Sequence, residues 1–255
     1  MEEVFTHAFW VGLAKIIGVN IVLSGDNAVV IALAARSLPA KQQKQAIIWG
    51  AGAAVVLRIL LTFVAAEALR WPWLKLVGAA LLLWIGVKML IPEEGGEDVS
   101  ASDNLIAAIK TILIADLVMS LDNVIAVAAA AGGSNTLLIL GLAISIPLVV
   151  FGATMLIKVM ERWPIIITIG AALIGFVAGE MAVTDPAIGG WVKATFAHVN
   201  DKPVIAGLSL EVVCGLVGAA FVVVVGLWIA KRKEAAAVAA GPHEAPVPDS
   251  APEQR

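Results

Sequence analysis

Long apolar runs are the feature that most constrains the fold of this 255-residue chain. Six continuous runs reach about 18 residues or more and a seventh lies near the C-terminus, lengths that suit helices crossing a bilayer. Hydrophobic residues make up 60% of the chain and charged residues only 15%, whereas an average soluble domain has about 25% charged residues. A water-soluble domain and a disordered chain are therefore both excluded. Because the runs do not alternate, a membrane β-barrel is excluded as well.

The expected fold is an all-α membrane protein with about seven transmembrane helices. The predicted spans cover residues 8–35, 46–67, 72–91, 104–131, 136–160, 164–182 and 204–230. Between them, residues 92–103 are interpreted as an acidic cytoplasmic linker and residues 183–203 as an outer loop. Residues 231–255 are rich in Ala, Pro and Glu, and this composition predicts a disordered cytoplasmic tail. Tryptophans near the predicted ends suit an interfacial belt: Trp10, Trp49, Trp71, Trp73, Trp163 and Trp228.

Charge predicts the orientation and limits the partners. If the N-terminus lies outside, ten Lys and Arg residues fall on the cytoplasmic side and four on the outer side. We therefore expect a protein of the cell membrane with its N-terminus outside and its C-terminus in the cytoplasm. The first ten residues contain no Lys or Arg, so the first run is interpreted as a retained helix rather than a signal peptide. Scattered basic residues and a net charge of −3 argue against a nucleic-acid partner. The single Cys214 permits no intramolecular disulfide, and no feature defines an oligomeric state.

The chain also contains an internal repeat. Residues 19–35 read VNIVLSGDNAVVIALAA and residues 115–131 read ADLVMSLDNVIAVAAAA, and the tripeptide RWP at 70–72 returns at 162–164. Each copy, residues 1–91 and residues 104–182, holds three predicted helices. Because three is odd, the second copy enters the membrane from the opposite side. The prediction is therefore two inverted three-helix repeats plus an extra helix, an architecture that places a substrate site between the halves near the midplane.

Three aspartates fall inside the predicted spans: Asp26, Asp116 and Asp122. Each costs on the order of 2.5–3.5 kcal/mol at a helix centre on insertion scales, so a functional role is the default interpretation. The structural alternative is that each Asp is protonated and hydrogen-bonded, or neutralised by Arg58 within the second span. Arg58 itself has two interpretations, either neutralising or gating such a site or forming a structural or snorkelling contact.

The polar positions of the two copies correspond: Asn20 with Asp116, Ser24 with Ser120, Asp26 with Asp122 and Asn27 with Asn123. Residues spaced i, i+4 and i+7 share one helix face, whereas each Asp lies roughly 100° around the helix from the Asn that follows it. An Asp and its neighbouring Asn both reach one site only where the helix is broken. Gly25 makes such a break plausible in the first copy, while Leu121 in the second copy supports it less.

Oxygen ligands predominate among these side chains, and hard oxygen donors suit Mg²⁺, Ca²⁺ and Mn²⁺. The predicted metal ligands are Asp26, Asn27, Asp116, Asp122 and Asn123, with Asn20, Ser24, Ser120, Arg58 and Glu211 as candidate accessory residues. Glu211 early in the last span is a candidate proton or cation relay. Met119 is interpreted either as core packing or as a soft ligand that would favour Mn²⁺.

The paired SGDN and SLDN helices, in two three-helix halves with an added seventh helix, resemble the TerC family of integral membrane proteins. The stretch LSGDNAVVIALAARSLP is most similar to its shorter, YjbE-like branch. The resemblance implies manganese efflux, with Asp26, Asn27, Asp122 and Asn123 at the matching positions and Asp116 as a third carboxylate. Asn20 occupies the place symmetric to Asp116, so the implied site is asymmetric.

The expected function is that of a secondary transporter exporting a divalent cation, with Mn²⁺ as first choice, no permanently bound cofactor and protons as a hypothetical coupling ion. One alternative is a membrane partner that supplies metal to exported proteins. An intramembrane aspartyl enzyme is a further alternative, but it leaves the Asn beside each Asp unexplained, so an enzyme is not expected. An amino-acid exporter of a related superfamily fits the carboxylate-rich set less well than a cation exporter.

Overall fold

A computed structural model describes residues 7–23, 25–68, 71–91, 101–132, 134–199, 202–205 and 207–240. These residues are almost entirely helical. The helices are α1 (His7–Leu23), α2 (Gly25–Ala35), α3 (Ala40–Ala68), α4 (Leu74–Leu90), α5 (Ala101–Ala131), α6 (Asn135–Arg162), α7 (Ile165–Val183), α8 (Pro186–Thr195) and α9 (Leu210–Ala240). Three short strands, β1 (Ala197–Val199), β2 (Lys202–Ile205) and β3 (Leu208–Ser209), form an antiparallel sheet in that order.

Within the described residues, 5 helical stretches are long and apolar enough to cross a membrane. They are Ala40–Val64, Asn104–Leu121, Asn135–Arg162, Ile165–Val183 and Leu210–Ala236. Two further apolar stretches, Phe9–Val19 and Gly25–Ala35, are shorter, and α4 has 17 residues. The prediction of a helical membrane protein is therefore confirmed, while the count of seven spans stays a prediction.

Within the first predicted span, residues 8–35, the structure describes α1, which ends at Leu23, and α2, which begins at Gly25. The predicted break falls on residue 24, which lies outside the described residues, so the break stays a prediction. The counterpart of this span, α5, continues without interruption past Leu121 to Ala131.

Local sequence signals explain where several helices begin and end. Pro39 disfavours helical backbone at the residue before it, which separates α2 from α3. After α5, Gly132 adopts a positive φ of 56°, a conformation that commonly ends helices. Ser134 then caps α6, since its side chain accepts a hydrogen bond from the Leu137 backbone N–H at 3.3 Å.

The DN-containing helices lie inside the bundle. α5 contacts α1, α2, α3 and α4, and α2 also packs against α6 and α7. The contacting face of α2 is built from small and branched apolar side chains that are almost wholly buried, including Val30, Ala32 and Leu33. On the other side of the bundle, α7 packs closely on α4 and α9. This packing places the polar residues of α2 and α5 away from the outer surface of the bundle.

Two predicted boundaries and the all-α assignment need correction. The seventh helix was expected over residues 204–230, but it begins at Leu210, because Gly207 (φ 83°) turns the chain between β2 and β3. The sheet also makes the all-α prediction incomplete. The tail was expected to be disordered from residue 231, yet α9 continues to Ala240, because Lys, Arg, Glu and Ala are strong helix formers.

The predicted loops are described only in part. Residues 92–100 of the acidic linker and residues 241–255 of the tail lie outside the described residues, and 101–103 already belong to α5. The predicted outer loop, residues 183–203, contains α8 and β1.

The tryptophans assigned to an interfacial belt are all more than half exposed at the surface of the bundle: Trp10, Trp49, Trp71, Trp73, Trp163 and Trp228. Arg232 lies over the Trp228 ring, with its guanidinium carbon 4.0 Å from the ring centroid. An exposed indole with a cation above it suits a position at the membrane–water boundary, where the ring is apolar and its surroundings are wet.

Candidate functional site

A buried polar triad joins α3 to α5. Arg58 forms an ion pair with Asp116 through Nη2 and Oδ1, and its Nε donates to Ser120 Oγ at 2.9 Å. Ser120 Oγ in turn donates to the other carboxylate oxygen of Asp116, Oδ2, at 3.2 Å. The exposed fractions are 4% for Arg58, 6% for Asp116 and 0% for Ser120. One full charge of each sign is therefore compensated inside the bundle, which burial of a charge requires.

Asp26 lies in the first turn of α2, next to this triad. Its Oδ1 accepts a hydrogen bond from the Asn27 backbone N–H at 2.9 Å. The first backbone N–H groups of a helix have no partner within the helix, so a carboxylate at this position satisfies one of them. Asp26 is also close enough to Arg58 and Asp116 to interact with both charges. The carboxylate of α2 and the triad thus belong to one electrostatic cluster.

Asn27 is buried without side-chain partners. It is 3% exposed, and among the described residues neither Nδ2 nor Oδ1 of its carboxamide has a hydrogen-bond partner. A buried polar group without a partner costs on the order of 1–3 kcal/mol, so natural structures seldom retain one without reason. The carboxamide beside Asp26 is therefore a group to which a polar ligand or water would contribute a missing hydrogen bond or coordination.

A cavity of about 410 Å³ opens beside Asp26 and brings side chains from α2, α4, α5, α7 and α9 together. Its lining residues are Asp26, Lys75, Met119, Asn123, Val177, Glu180, Met181, Thr184 and Glu211. Three of them carry carboxylates, one is a carboxamide and one is a lysine. We call this space the carboxylate cavity. The chemistry of its lining is suited to a cation or to exchangeable protons more than to an apolar molecule.

The structure distributes four of the five predicted ligands over three locations. Asp26 and Asn123 line the carboxylate cavity, Asp116 belongs to the triad, and Asn27 is buried outside the cavity lining. Asp26 and Asn27 diverge as adjacent residues of a helix do. In the part of the chain with described side chains, no three His, Cys, Asp or Glu residues are grouped closely enough to hold one metal ion.

Several predicted residues cannot be placed in this arrangement. The side chains of Asn20 and Asp122, and the whole of Ser24, lie outside the described part of the structure, although the backbone of Asn20 belongs to α1 and that of Asp122 to α5. The predicted meeting of Asp26 with Asp122 therefore stays a prediction. Of the accessory candidates, Ser120 and Arg58 belong to the triad with Asp116, and Glu211 lines the cavity.

Glu180 is the cavity residue that sequence reasoning did not assign to the site. It lies near the end of α7, and its carboxylate interacts with that of Glu211 on α9. An acidic residue within an otherwise apolar helix was the available signal. Considered from the sequence alone, a position close to the end of a span favours an interfacial role for Glu180. Only the packing of α7 against α9 brings it to the cavity.

Asp185 lies beside the carboxylate cavity and joins α8 to the start of α4 through hydrogen bonds. This fully buried carboxylate accepts backbone hydrogen bonds from Ala187 at 2.7 Å, Trp73 at 2.9 Å and Leu76 at 3.0 Å. Burial by itself would raise the pKa of the carboxyl, but these donors outweigh it, and the pKa lies below its ordinary value of 3.8. Beside it, Lys75 Nζ donates to Thr184 Oγ1 at 3.2 Å, so two cavity residues also join α4 to the end of α7.

These features define an integral, multi-pass helical membrane protein with charged and polar side chains inside its bundle. The sequence pattern of the family described as "Integral membrane protein TerC family" matches residues 5–234. The chain belongs to the TerC family. The resemblance found in the DN motifs is thereby confirmed at the level of the family.

Three membrane proteins of Bacillus subtilis (strain 168) are similar to this chain. YjbE is 43% identical over 179 residues, which cover 70% of this chain and 82% of YjbE. YkoY is 24% identical over 194 residues, covering 68% of this chain and 60% of YkoY. YceF is 25% identical over 183 residues, covering 68% of this chain and 71% of YceF. All three are described as uncharacterized membrane proteins, and no solved structure matches.

Proposed function

We propose that this TerC family protein is a secondary transporter that exports a divalent metal cation, with Mn²⁺ as the foremost candidate. The observation that carries the proposal is the carboxylate cavity, in which Asp26 of α2 meets Asn123 of α5 beside Glu180 and Glu211. A bundle that exposes mostly apolar side chains has little reason to keep such groups inside unless they act on a polar substrate.

The donor types support a divalent cation as substrate. Carboxylate and carboxamide oxygens are ligands for Mg²⁺, Ca²⁺ and Mn²⁺, whereas Cu(I) and zinc sites favour thiolate or imidazole. Met119 lines the same cavity and presents a thioether, a softer donor than oxygen. A mixed oxygen and thioether lining favours Mn²⁺ over the harder Mg²⁺ and Ca²⁺. Asp122, whose α5 position adjoins Asn123, completes the proposed ligand set.

The helix contacts support two halves related by a pseudo-two-fold axis. α3 packs on α5 as α6 packs on α1 and α2, and α4 contacts α5 as α7 contacts α2. Exchanging the two copies of the repeat therefore reproduces the pattern of neighbours, with α9 outside it. In transporters built from inverted repeats, rocking of one half against the other exposes a central site to each side in turn. We propose the same movement here, with residues 1–91 and 104–182 as the halves.

The direction and coupling of transport complete the proposal. The excess of Lys and Arg on one side supports a cytoplasmic C-terminus and an N-terminus outside the cell. Cation uptake would then occur from the cytoplasm and release outside. Because a carboxylate can exchange a metal ion for a proton, protonation of Asp26 or Glu211 is a suitable means of coupling release to the proton gradient.

The test is a measurement of cellular metal content in a manganese-sensitive strain. Cells expressing the wild type are expected to contain less manganese than cells with an empty vector, and Asp26→Asn and Asp122→Asn are expected to abolish the difference. Glu161→Gln, the same kind of change at an exposed position at the end of α6, is the matched control and should export normally. A wild type that leaves manganese unchanged would overturn export, and active Asp26→Asn and Asp122→Asn variants would overturn the site.

Proteoliposomes separate export from the supply of metal to exported proteins. Purified protein is expected to move Mn²⁺ across the bilayer without a second protein, which a partner for metal supply need not do. An imposed pH gradient is expected to change the initial rate of flux. A rate that ignores the gradient would contradict proton coupling, and absence of flux by a protein that still binds Mn²⁺ would favour metal supply.

A further inference from the structure

We propose that Arg58 is a tethered internal cation, which the transported ion must displace from Asp116 before that carboxylate can act as a ligand. The inference rests on the proposed function and adds to it a residue that sets how tightly the ion binds. It assigns to Asp116, which is paired with Arg58, a different role from that of Asp26, which lines the cavity.

Each carboxylate oxygen of Asp116 already has a partner in the triad. One oxygen faces the Arg58 guanidinium and the other accepts from Ser120, whose own Oγ accepts from Arg58 Nε at 2.9 Å. A dication at a remaining lone pair of Asp116 would lie beside the guanidinium, so it gains the full attraction of this carboxylate only if Arg58 moves away. Since Arg58, Asp116 and Ser120 are each less than a tenth exposed, water is poorly placed to screen this repulsion.

The charge of Arg58 is permanent, because guanidinium does not lose its proton in proteins. Asp26 interacts with both Arg58 and Asp116, so a dication next to Asp26 is repelled by the one and attracted by the other. Displacement of the guanidinium removes the repulsion and makes the attraction available at the same time.

This arrangement gives the transporter a way to release its ion. When the two halves move, return of the guanidinium to Asp116 restores a compensated pair and removes a ligand from the ion. A site that held its ion with every carboxylate free would bind tightly and release slowly. Transport instead needs binding that is weak enough to reverse. Arg58 is accordingly a positioning residue that acts through Asp116, and the cost of its displacement lowers the affinity of the wild type.

The experiment measures Mn²⁺ affinity by titration calorimetry and Mn²⁺ flux in proteoliposomes, both on the purified full-length chain. Arg58→Gln removes the competing charge and is expected to tighten Mn²⁺ binding and to slow flux. We expect affinity to rise about tenfold, a typical size for coupling between two ligands of one protein. A structural role alone predicts unchanged or weaker binding. Arg58→Lys keeps a charge without the two-point fork, and its affinity is expected to lie between those of wild type and Arg58→Gln.

Lys110→Gln is the matched control, because it removes an exposed cation from α5, the helix that carries Asp116, and this cation does not line the carboxylate cavity. A gain in affinity confined to the Arg58 variants supports displacement at Asp116. An equal or larger gain in Lys110→Gln, or unchanged affinity in folded Arg58→Gln, overturns the inference. If Arg58→Gln is not recovered as folded protein, Arg58→Lys decides, and affinity equal to or weaker than wild type overturns the inference. Failure of the wild type to bind Mn²⁺ would instead refute the proposed function.

Discussion

Arg58 on α3 and Asp116 on α5 form a buried ion pair across 58 residues of sequence. Each side chain is less than a tenth exposed, so neither charge can be compensated by bulk water. The pair fixes α3 against α5. Of the two carboxylates in the electrostatic cluster, Asp116 is therefore held by Arg58, and Asp26 is the one that lines the cavity.

The first prediction concerns the stability of this pair. Removing one partner leaves an uncompensated buried charge, at a cost of about 3–5 kcal/mol, whereas replacing both by apolar side chains is often close to neutral. Arg58→Met and Asp116→Leu should therefore each lower the thermal stability of the purified protein. The double variant should be more stable than either single variant, as measured by fluorescence-detected gel filtration after heating. A double variant less stable than both single variants would show that the two buried charges do not depend on each other for compensation.

The second prediction concerns Asp185, whose carboxylate holds the start of α4 through backbone donors. One of them is Trp73, which has a positive φ of 73°, an uncommon conformation for a side chain of that size. Asp185→Asn retains the shape but removes the charge, and we expect a loss of about 2–3 kcal/mol of stability because bonds to a charged acceptor are the strong ones. Glu161→Gln, at an exposed position, should leave the melting temperature unchanged.

The pH dependence of stability follows from the lowered pKa of Asp185. The unfolded carboxyl titrates near its ordinary value of 3.8, and the folded one below it. The contribution of Asp185 is therefore fully present above about pH 3.8 and is lost as the pH falls through the folded pKa. Melting curves of wild type and Asp185→Asn should converge as the pH falls below that range. A difference that stays constant with pH would contradict this account.

The third prediction concerns the close approach of α7 and α9. A Cβ added at Gly179 would meet the backbone carbonyl of Cys214, and backbone cannot move aside as a side chain can. Such close contacts between small residues are a usual way for membrane helices to associate. Gly179→Ala should cost roughly 1–3 kcal/mol. Gly18→Ala, on α1 with open space around the added atom, should be neutral or stabilising, and equal losses in both variants would refute the packing argument.

The fourth prediction concerns Glu211, which reaches the carboxylate cavity from α9. Glu211→Gln retains the size of the side chain and removes a negative charge that faces the proposed ion. We expect Mn²⁺ affinity to fall about tenfold, the scale on which second-sphere partners of metal ligands act. Titration of the purified variant beside wild type and Glu161→Gln measures this. Unchanged affinity would remove Glu211 from the site.

The fifth prediction concerns selectivity. Met119→Leu is close to isosteric and removes the thioether from the cavity lining. Because a thioether contributes more to the binding of Mn²⁺ than of Ca²⁺ or Mg²⁺, the ratio of Mn²⁺ to Ca²⁺ flux should fall, while Ca²⁺ flux itself should change little. An unchanged ratio would indicate that Met119 acts by packing alone.

The sequence by itself determined the class of the molecule and where most of its helices lie. Continuous apolar runs predict membrane helices because a chain in lipid must satisfy its backbone hydrogen bonds within each segment. The DN motifs of α2 and α5 also identified the helices that carry the polar side chains. The predicted ends of α9 were less accurate, because the sheet before it and the helical continuation after residue 230 depend on turn and propensity signals rather than on hydropathy.

Only the tertiary structure decided which polar groups meet. Nothing in the sequence selects Asp116, rather than Asp26, as the partner of Arg58, or brings Glu180 and Glu211 to the same cavity as Asp26. The reason is that these helices are apolar nearly all round, so their composition does not determine which side of each helix faces a neighbour. Rotation and close packing of the helices settle it, and the backbone bonds of Asp185 arise from the same packing.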